Sequence, residues 1–235
     1  TGALGLSLTV QLALLAAGGW LFGSVLQDVI ARDDLARFDR PITNYMVDHR
    51  TAWLTTTMRA ITTLGSTAVL IPTIALIGLA IRNHRHTWEP LALLVITQLG
   101  AIALYDTVKV LVARPRPAVG QLVATASGYA FPSGHATQAA AVWGAIALTL
   151  MPTASATTAK VALGAGAATI ALIVGVSRVY LGVHWTTDVI GGWALGAIWL
   201  SAITTTRNAV TARRSNRTGS EGPGHHGTAV GGEER

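Results

Sequence analysis

Long apolar runs, broken only at short polar joints, restrict this chain to folds that a bilayer can hold. Leu4 to Leu26 passes without one charged residue, and a helix of about 20 apolar residues is what crosses a hydrocarbon core. Comparable blocks run from about Ala60 to Ile81, Pro90 to Val112, Ser133 to Met151, Lys160 to Tyr180 and Asp188 to Thr205. Polar residues from Arg82 to His86 close the second, Pro115 and Pro117 close the third, and Pro152 closes the fourth, since proline cannot continue a helix. Backbone groups in lipid must bond within their own segment. The expected fold class is therefore all-α, a six-transmembrane-helix bundle with both termini on one side. Composition agrees: only 12% of residues are charged, against about 25% in soluble domains. Gly192 and Gly196 stand at the spacing that lets helices approach closely.

The first block is too long for the apolar core of a signal peptide and further spans follow it, so it reads as a membrane helix. The chain opens on Thr1 rather than Met, and a trimmed N-terminus is expected. Between the first two blocks, Ile42, Tyr45, Met46, Trp53, Leu54 and Met58 recur every three to four positions. That period predicts an interfacial amphipathic helix, a connector lying on the bilayer. Residues 1–206 form the expected membrane domain. Residues 207–235 are basic and then Gly-rich, without apolar periodicity, and are expected to be a disordered tail. The pair His225 and His226 within it is a weak metal signal.

The net charge of +6 gathers in two places. Arg207, Arg213, Arg214 and Arg217 suit attraction to anionic headgroups. Lys109, Arg114 and Arg116 crowd a short loop where an anionic substrate fits. Neither cluster has interleaved aromatics, so no nucleic-acid partner is expected. The absence of cysteine excludes disulfides, thiolate metal sites and a cysteine nucleophile. Loop charge only leans toward cytoplasmic termini. Arg82, Arg85, Lys160 and the tail fall on one side, but Arg32, Arg37, Arg40, Arg50 and Arg59, offset by nearby aspartates, fall on the other.

Three motifs sit at helix ends that a six-helix bundle places on one membrane face. They are Lys109 with Arg116-Pro117, Pro132-Ser133-Gly134-His135, and Ser177-Arg178 with His184 and Asp188. Lys109, Arg116 and Arg178 supply cations, and guanidinium forks grip phosphate oxygens bidentately. Ser133 and Gly134 open a helix, where free N–H groups and the dipole favour an anion. Asp188, four residues after His184, can orient one imidazole nitrogen and leave the other to attack phosphorus. His135 then serves as general acid toward the leaving oxygen. Each part also has an ordinary reading. Lys109 pairs equally well with Asp106, Arg114 and Arg116 suit the flank of any membrane helix, and Pro-Ser-Gly is a common turn. His184 and Asp188 also have ligand spacing for a metal, although nearby cations would repel one. The conjunction of all these parts on one face favours phosphate chemistry with no metal and no cofactor.

The three motifs resemble the signature of the type 2 phosphatidic acid phosphatase superfamily, PAP2, which also contains vanadium haloperoxidases. Lys-x6-Arg-Pro, Pro-Ser-Gly-His and Ser-Arg-x5-His-x3-Asp are matched in order from Lys109 to Asp188 without substitution. The resemblance implies a phosphohistidine at His184, with Asp188 orienting it and His135 as acid. It also implies that Lys109, Arg116, Ser133, Gly134 and Arg178 hold the phosphoryl group. It further implies metal-independent turnover at the extracytoplasmic face of a membrane, and the compact, Ala- and Gly-rich style suggests a bacterial one. The expected partner is a lipid phosphate in the bilayer: polyprenyl diphosphate or phosphatidic acid ahead of phosphatidylglycerol phosphate. The alternative is an anionic-lipid transporter or flippase that uses the same basic cluster for recognition without hydrolysis.

Overall fold

In the computed structural model the described residues are 2–118, 123–124 and 126–220. Among them the chain is entirely helical. The elements are α1 (Gly2–Ala31), a 3-10 turn (Asp34–Phe38), α2 (Asp39–Asp48), α3 (Ala52–Thr63), α4 (Thr67–Arg85) and α5 (Glu89–Val112). They are followed by α6 (Gly134–Gln138), a π-helical turn (Ala139–Trp143), α7 (Gly144–Leu150), α8 (Thr157–Tyr180) and α9 (Thr186–Ser220). Five of these helices contain stretches long and apolar enough to cross a membrane: Gln11–Ala31, Thr67–Arg85, Glu89–Val112, Thr157–Tyr180 and Thr186–Thr211. The protein is an integral membrane protein by this pattern. The predicted fourth span corresponds to α6, the π turn and α7, one continuous helical stretch too short to join those five. It is the most enclosed part of the bundle, with Ala136, Ala139, Ala141, Val142 and Ala145 fully buried. Its small apolar residues suit such a position, and its polar ones, Thr137, Gln138 and Thr149, are buried with them.

Small residues set how closely the helices pack around it. A Cβ on Gly192 of α9 would lie 2.7 Å from the Ser133 carbonyl oxygen, and one on Gly196 would lie 2.5 Å from that of Thr137. The spacing read from the sequence thus produces backbone contact between α9 and α6. Gly65, in the turn between α3 and α4, is pressed likewise against the backbone of His135, with a would-be Cβ 2.9 Å from its carbonyl oxygen. Polar atoms inside the bundle find partners nearby. The Gln98 amide donates to Gln138 Oε1 at 2.6 Å, Thr67 Oγ1 donates to the same oxygen at 2.9 Å, and Thr97 Oγ1 donates to the Leu93 carbonyl at 2.7 Å.

The structure changes three expectations. The second span begins at Thr67 rather than near Ala60, because the chain leaves helical geometry at Leu64–Ser66. The connector before it is two helices rather than one, broken at Thr51, whose backbone is extended. Its apolar stripe also faces protein. Ile42 and Met46 pack on Ala136, Val179 and Val189, while Met46, Leu54 and Met58 pack on Tyr180, Leu181 and Val183. Tyr45 and Trp53 are the large side chains left outside. Periodicity shows that one face is apolar, not what covers it. Finally, α9 continues to Ser220, so residues 207–220 are helical instead of disordered. The rest of the predicted tail, with His225 and His226, lies outside the described residues.

Candidate active site

The site forms where α5 and α8 end and α6 and α9 begin. α5 stops one turn after Lys109: Ala113 adopts a left-handed conformation, φ 50°, and its N–H caps the Lys109 carbonyl at 2.9 Å. A left-handed residue followed by proline is a common way to end a helix, and Arg114-Pro115-Arg116-Pro117 then runs without helix. Across the pocket, Ser133 precedes α6 and its N–H donates to the Asp188 carbonyl at 2.8 Å. That bond ties the start of α6 to the start of α9. Two motifs 53 residues apart in the chain, Ser133 and Thr186 onward, are thereby held together.

His184 lies in the short turn between α8 and α9 and is almost wholly buried. Its Nδ1 is 3.3 Å from Asp188 Oδ2, and its Nε2 is 3.1 Å from an Arg116 terminal nitrogen. Arginine has donors and no acceptor. Nε2 must therefore carry a lone pair, and the ring proton must sit on Nδ1, facing the carboxylate. Burial first, and then the charges of Arg178, Arg116 and Lys109, push the His184 pKa well below the ordinary histidine value. This geometry favours a neutral imidazole whose Nε2 lone pair faces the Arg116 guanidinium.

Asp188 is fully saturated. Oδ2 also accepts the Trp185 N–H at 2.9 Å, and Oδ1 accepts from Arg114 at 2.6 Å. Arg114 in turn bonds Asp39 at 2.7 Å, and Asp39 receives both the N–H and the hydroxyl of Thr187. The sequence reading placed Arg114 only in the basic loop and counted Asp39 only among the aspartates that offset the arginines between the first two blocks. In the structure they form a buried line, Asp39–Arg114–Asp188–His184, that draws α2, the loop after α5 and α9 into one unit. The signal in the sequence was Arg114 itself, an extra arginine two residues before the motif's Arg116. Nothing in the sequence marked Asp39.

The predicted phosphate ligands divide into two groups. Arg116 is engaged on every side: it donates to the carbonyls of Ser127, Gly128, Tyr129 and Val183 at 2.7–3.1 Å, leaving its contact with His184 as the only one toward the pocket. Arg178 and Ser133 are different. Arg178 donates to Thr62 Oγ1 at 2.9 Å, but its Nε and the Ser133 hydroxyl are buried with no hydrogen-bond partner among the described residues. Buried polar groups of native proteins are almost always bonded, so these two unpartnered groups are candidate ligand contacts. Lys109 forms no ion pair with Asp106 within 4 Å among the described residues. Its ammonium lies 5.2 Å from the centre of the Tyr105 ring, within the charge fields of Arg116, Arg178 and Asp188. The same ring covers Gly134, where a Cβ would sit 3.0 Å from it. Tyr105 is a second residue that the motifs did not reveal. His135 is within the electrostatic reach of Arg178, His184, Lys109 and Arg116. All eight residues predicted for the site thus gather at the end of the bundle where α5 and α8 stop and α6 and α9 begin.

The chain is similar to known proteins in both sequence and fold. The PAP2 superfamily model matches residues 89–212, which include all three motifs. Phosphatidylglycerophosphatase B of Bacillus subtilis is 37% identical over 182 residues, covering 76% of this chain and 88% of that protein. An undecaprenyl-diphosphatase of Sulfolobus acidocaldarius is 38% identical over 113 residues, 46% of this chain and 50% of that protein. The crystal structure of a transmembrane PAP2-type phosphatidylglycerolphosphate phosphatase from Bacillus subtilis superposes with a TM-score of 0.75 at 33% identity, over 82% of this chain and 96% of that one. LpxE of Aquifex aeolicus shares the fold, with a TM-score of 0.56 at 22% identity over 72% and 95% of the two chains. Matched over more than half its length by the family and over most of its fold by a solved member, this chain belongs to the PAP2 superfamily and is a membrane-embedded lipid phosphatase.

Proposed function

We propose that the protein removes a phosphate from a lipid through a phosphohistidine, without a metal. His184 Nε2 attacks phosphorus with its lone pair, and the bond from phosphorus to the leaving oxygen breaks. That oxygen takes a proton from His135. Water then attacks the phosphohistidine, His135 accepts a proton from it, the P–N bond breaks and inorganic phosphate leaves. Arg178, Ser133 and Lys109 hold the equatorial oxygens, and the Arg116 N–H that rests on Nε2 lies beside the same group as it arrives. A dianionic phosphate among these cations is the counter-charge against which His135 carries its proton. Stabilising charge that builds up in the transition state is the larger part of such catalysis.

The observation that carries this reading is the pairing of His184, whose Nδ1 meets the Asp188 carboxylate and whose Nε2 meets the Arg116 guanidinium, an arrangement that leaves the attacking lone pair on Nε2. Metal independence is supported by the donor set. The Asp188 carboxylate is taken up by Arg114, Trp185 and His184, and no group of three His, Asp or Glu side chains converges among the described residues. Phosphatidylglycerol phosphate is the first substrate to test, because the relatives matching most of this chain carry that activity in their names. Phosphatidic acid and polyprenyl diphosphate follow. The stretch from α6 to α7 completes six spans in this reading, and the pocket opens to the extracytoplasmic leaflet of a bacterial cell membrane.

The test is release of inorganic phosphate from these three lipids by purified protein in detergent, with chelator present. His184→Ala is expected to lose more than about 1,000-fold in kcat, the scale on which removing a nucleophile acts, and wild type quenched in alkali, where a P–N bond survives, should retain radiolabelled phosphate on His184. Undiminished turnover in the variant, or activity abolished by chelator, overturns the proposal.

A further inference from the structure

A second cleft, of about 570 Å³, opens behind the phosphate pocket, between the end of α1, the 3-10 turn and the corner that follows α5. That volume falls within the range of pockets that hold small ligands. We propose that it binds the headgroup of an anionic phospholipid, through the phosphodiester, as a site separate from the one that performs hydrolysis.

The cleft is built in two halves. Val29, Ile30, Val112 and Ala113 line one part, and they belong to the last turns of α1 and α5, both of which are apolar enough to span the membrane. Its floor therefore lies where hydrocarbon gives way to headgroups. Arg32, Arg37 and Arg40 line the other part. Arg32 stands at φ 62°, a left-handed turn directly after α1, and this bend carries Arg37 and Arg40 back over the end of that helix.

All three arginines are exposed and none makes an ion pair among the described residues. The carboxylate nearest them in the cleft, Asp39, is occupied by Arg114 and Thr187. Asp33 and Asp34 share the turn, where Asp33 caps the Asp34 N–H at 2.8 Å without reaching an arginine. Three uncompensated guanidinium groups above an apolar floor match a phosphodiester joined to acyl chains. Free phosphate would leave the apolar half unused. Arg114 and Trp185 form the back wall, and neither His184, His135 nor Lys109 lines the cleft, so its occupant does not contact the reacting atoms.

The experiment measures binding of dioctanoyl phosphatidylglycerol, whose phosphodiester offers no phosphomonoester to remove, to purified protein in neutral detergent. Dioctanoyl phosphatidylcholine and inorganic phosphate are the comparison probes. Each basic side chain beside an anionic lipid is worth roughly fivefold in affinity. Arg32→Gln/Arg37→Gln/Arg40→Gln should therefore weaken phosphatidylglycerol binding about 100-fold, and Arg37→Gln alone about fivefold. Phosphatidylcholine should bind all three proteins weakly and equally, and inorganic phosphate should not displace phosphatidylglycerol. Hydrolysis of a short-chain lipid phosphate should be unchanged in the single variant, which shows that the fold and the catalytic pocket are intact. Equal phosphatidylglycerol affinity in wild type and variants would overturn the proposal. Displacement by inorganic phosphate would do so too, showing a simple anion site. Because hydrolysis is read separately, failure here leaves the proposed reaction standing, and failure of that reaction leaves this binding result interpretable.

Discussion

The two ends of the bundle use the same charged residue types under opposite conditions. At the catalytic end, Arg114 joins Asp39 and Asp188 at 2.7 and 2.6 Å, with both carboxylates almost entirely removed from solvent. At the far end, Arg207 meets Glu89 at a similar 2.6 Å, but the two side chains are 41% and 55% exposed. Distance alone would rank the pairs equally. Desolvation separates them: an exposed pair contributes about 0–1 kcal/mol, whereas a buried charge stripped of its partner costs about 3–5 kcal/mol. The catalytic end therefore depends on completeness. Both buried carboxylates there are positioned by Arg114, and His184 inherits its orientation from that line of charges. The far end tolerates change.

Arg114→Met should break this contrast most strongly. It leaves Asp39 and Asp188 buried without a cation, and stability in detergent should fall by about 3–5 kcal/mol, read as a large drop in melting temperature. Adding Asp39→Asn should recover part of the loss, because one of the two orphaned carboxylates is then neutral. A melting temperature within a degree of wild type for Arg114→Met would show that the line of charges is ornamental. Next in size is Gly196→Ala. A methyl 2.5 Å from the Thr137 carbonyl oxygen forces α9 from α6, which should cost about 1–3 kcal/mol, the usual range for overpacking. Since the bond from Ser133 to Asp188 crosses the same seam, turnover should fall along with stability. A variant that melts early but turns over normally would mean that the seam does not position the site.

The pH dependence of stability sharpens the comparison. His184 has a folded-state pKa well below its unfolded value, so on acidification the unfolded chain takes up the proton first. Stability is then lost as pH falls below about 6.5 and goes on falling until the folded pKa is reached. His184→Gln lacks this proton uptake, and its melting temperature should decline less steeply between pH 7 and pH 5. Parallel declines in the two proteins would contradict a neutral, buried His184.

These effects also mark what the sequence could and could not disclose. Spans were legible because lipid demands long apolar helices, and the bounds of the third, predicted from Pro90, agree with α5 to one residue. The catalytic motifs were legible because each occupies a helix end at fixed spacing, from Lys109 to Asp188. Asp39 was not, because its partner Arg114 is 75 residues away and Thr187 is 148 away; no local pattern encodes a contact of that range. The stripe of Ile42, Met46, Leu54 and Met58 was read as facing lipid because bilayer and protein interior offer the same apolar contact. Arg116 and Arg178 looked alike in sequence, yet one is committed to loop carbonyls while the other keeps an open donor. That division depends on where the segment 126–130 lies, which a motif does not specify.

The smallest effect belongs to the far end. Glu89→Gln removes the one carboxylate paired with Arg207, at a place where both side chains reach solvent. Expected destabilisation is below about 1 kcal/mol and should shrink further in high salt, since exposed pairs are screened. Turnover should not change, because Glu89 opens α5 and Lys109, in its last turn, lies on the other side of the span. A steady-state assay and a melting curve at low and high ionic strength suffice. If Glu89→Gln instead slowed catalysis severalfold, the ends of α5 would be mechanically coupled, and the division between a rigid catalytic end and a permissive far end would not hold.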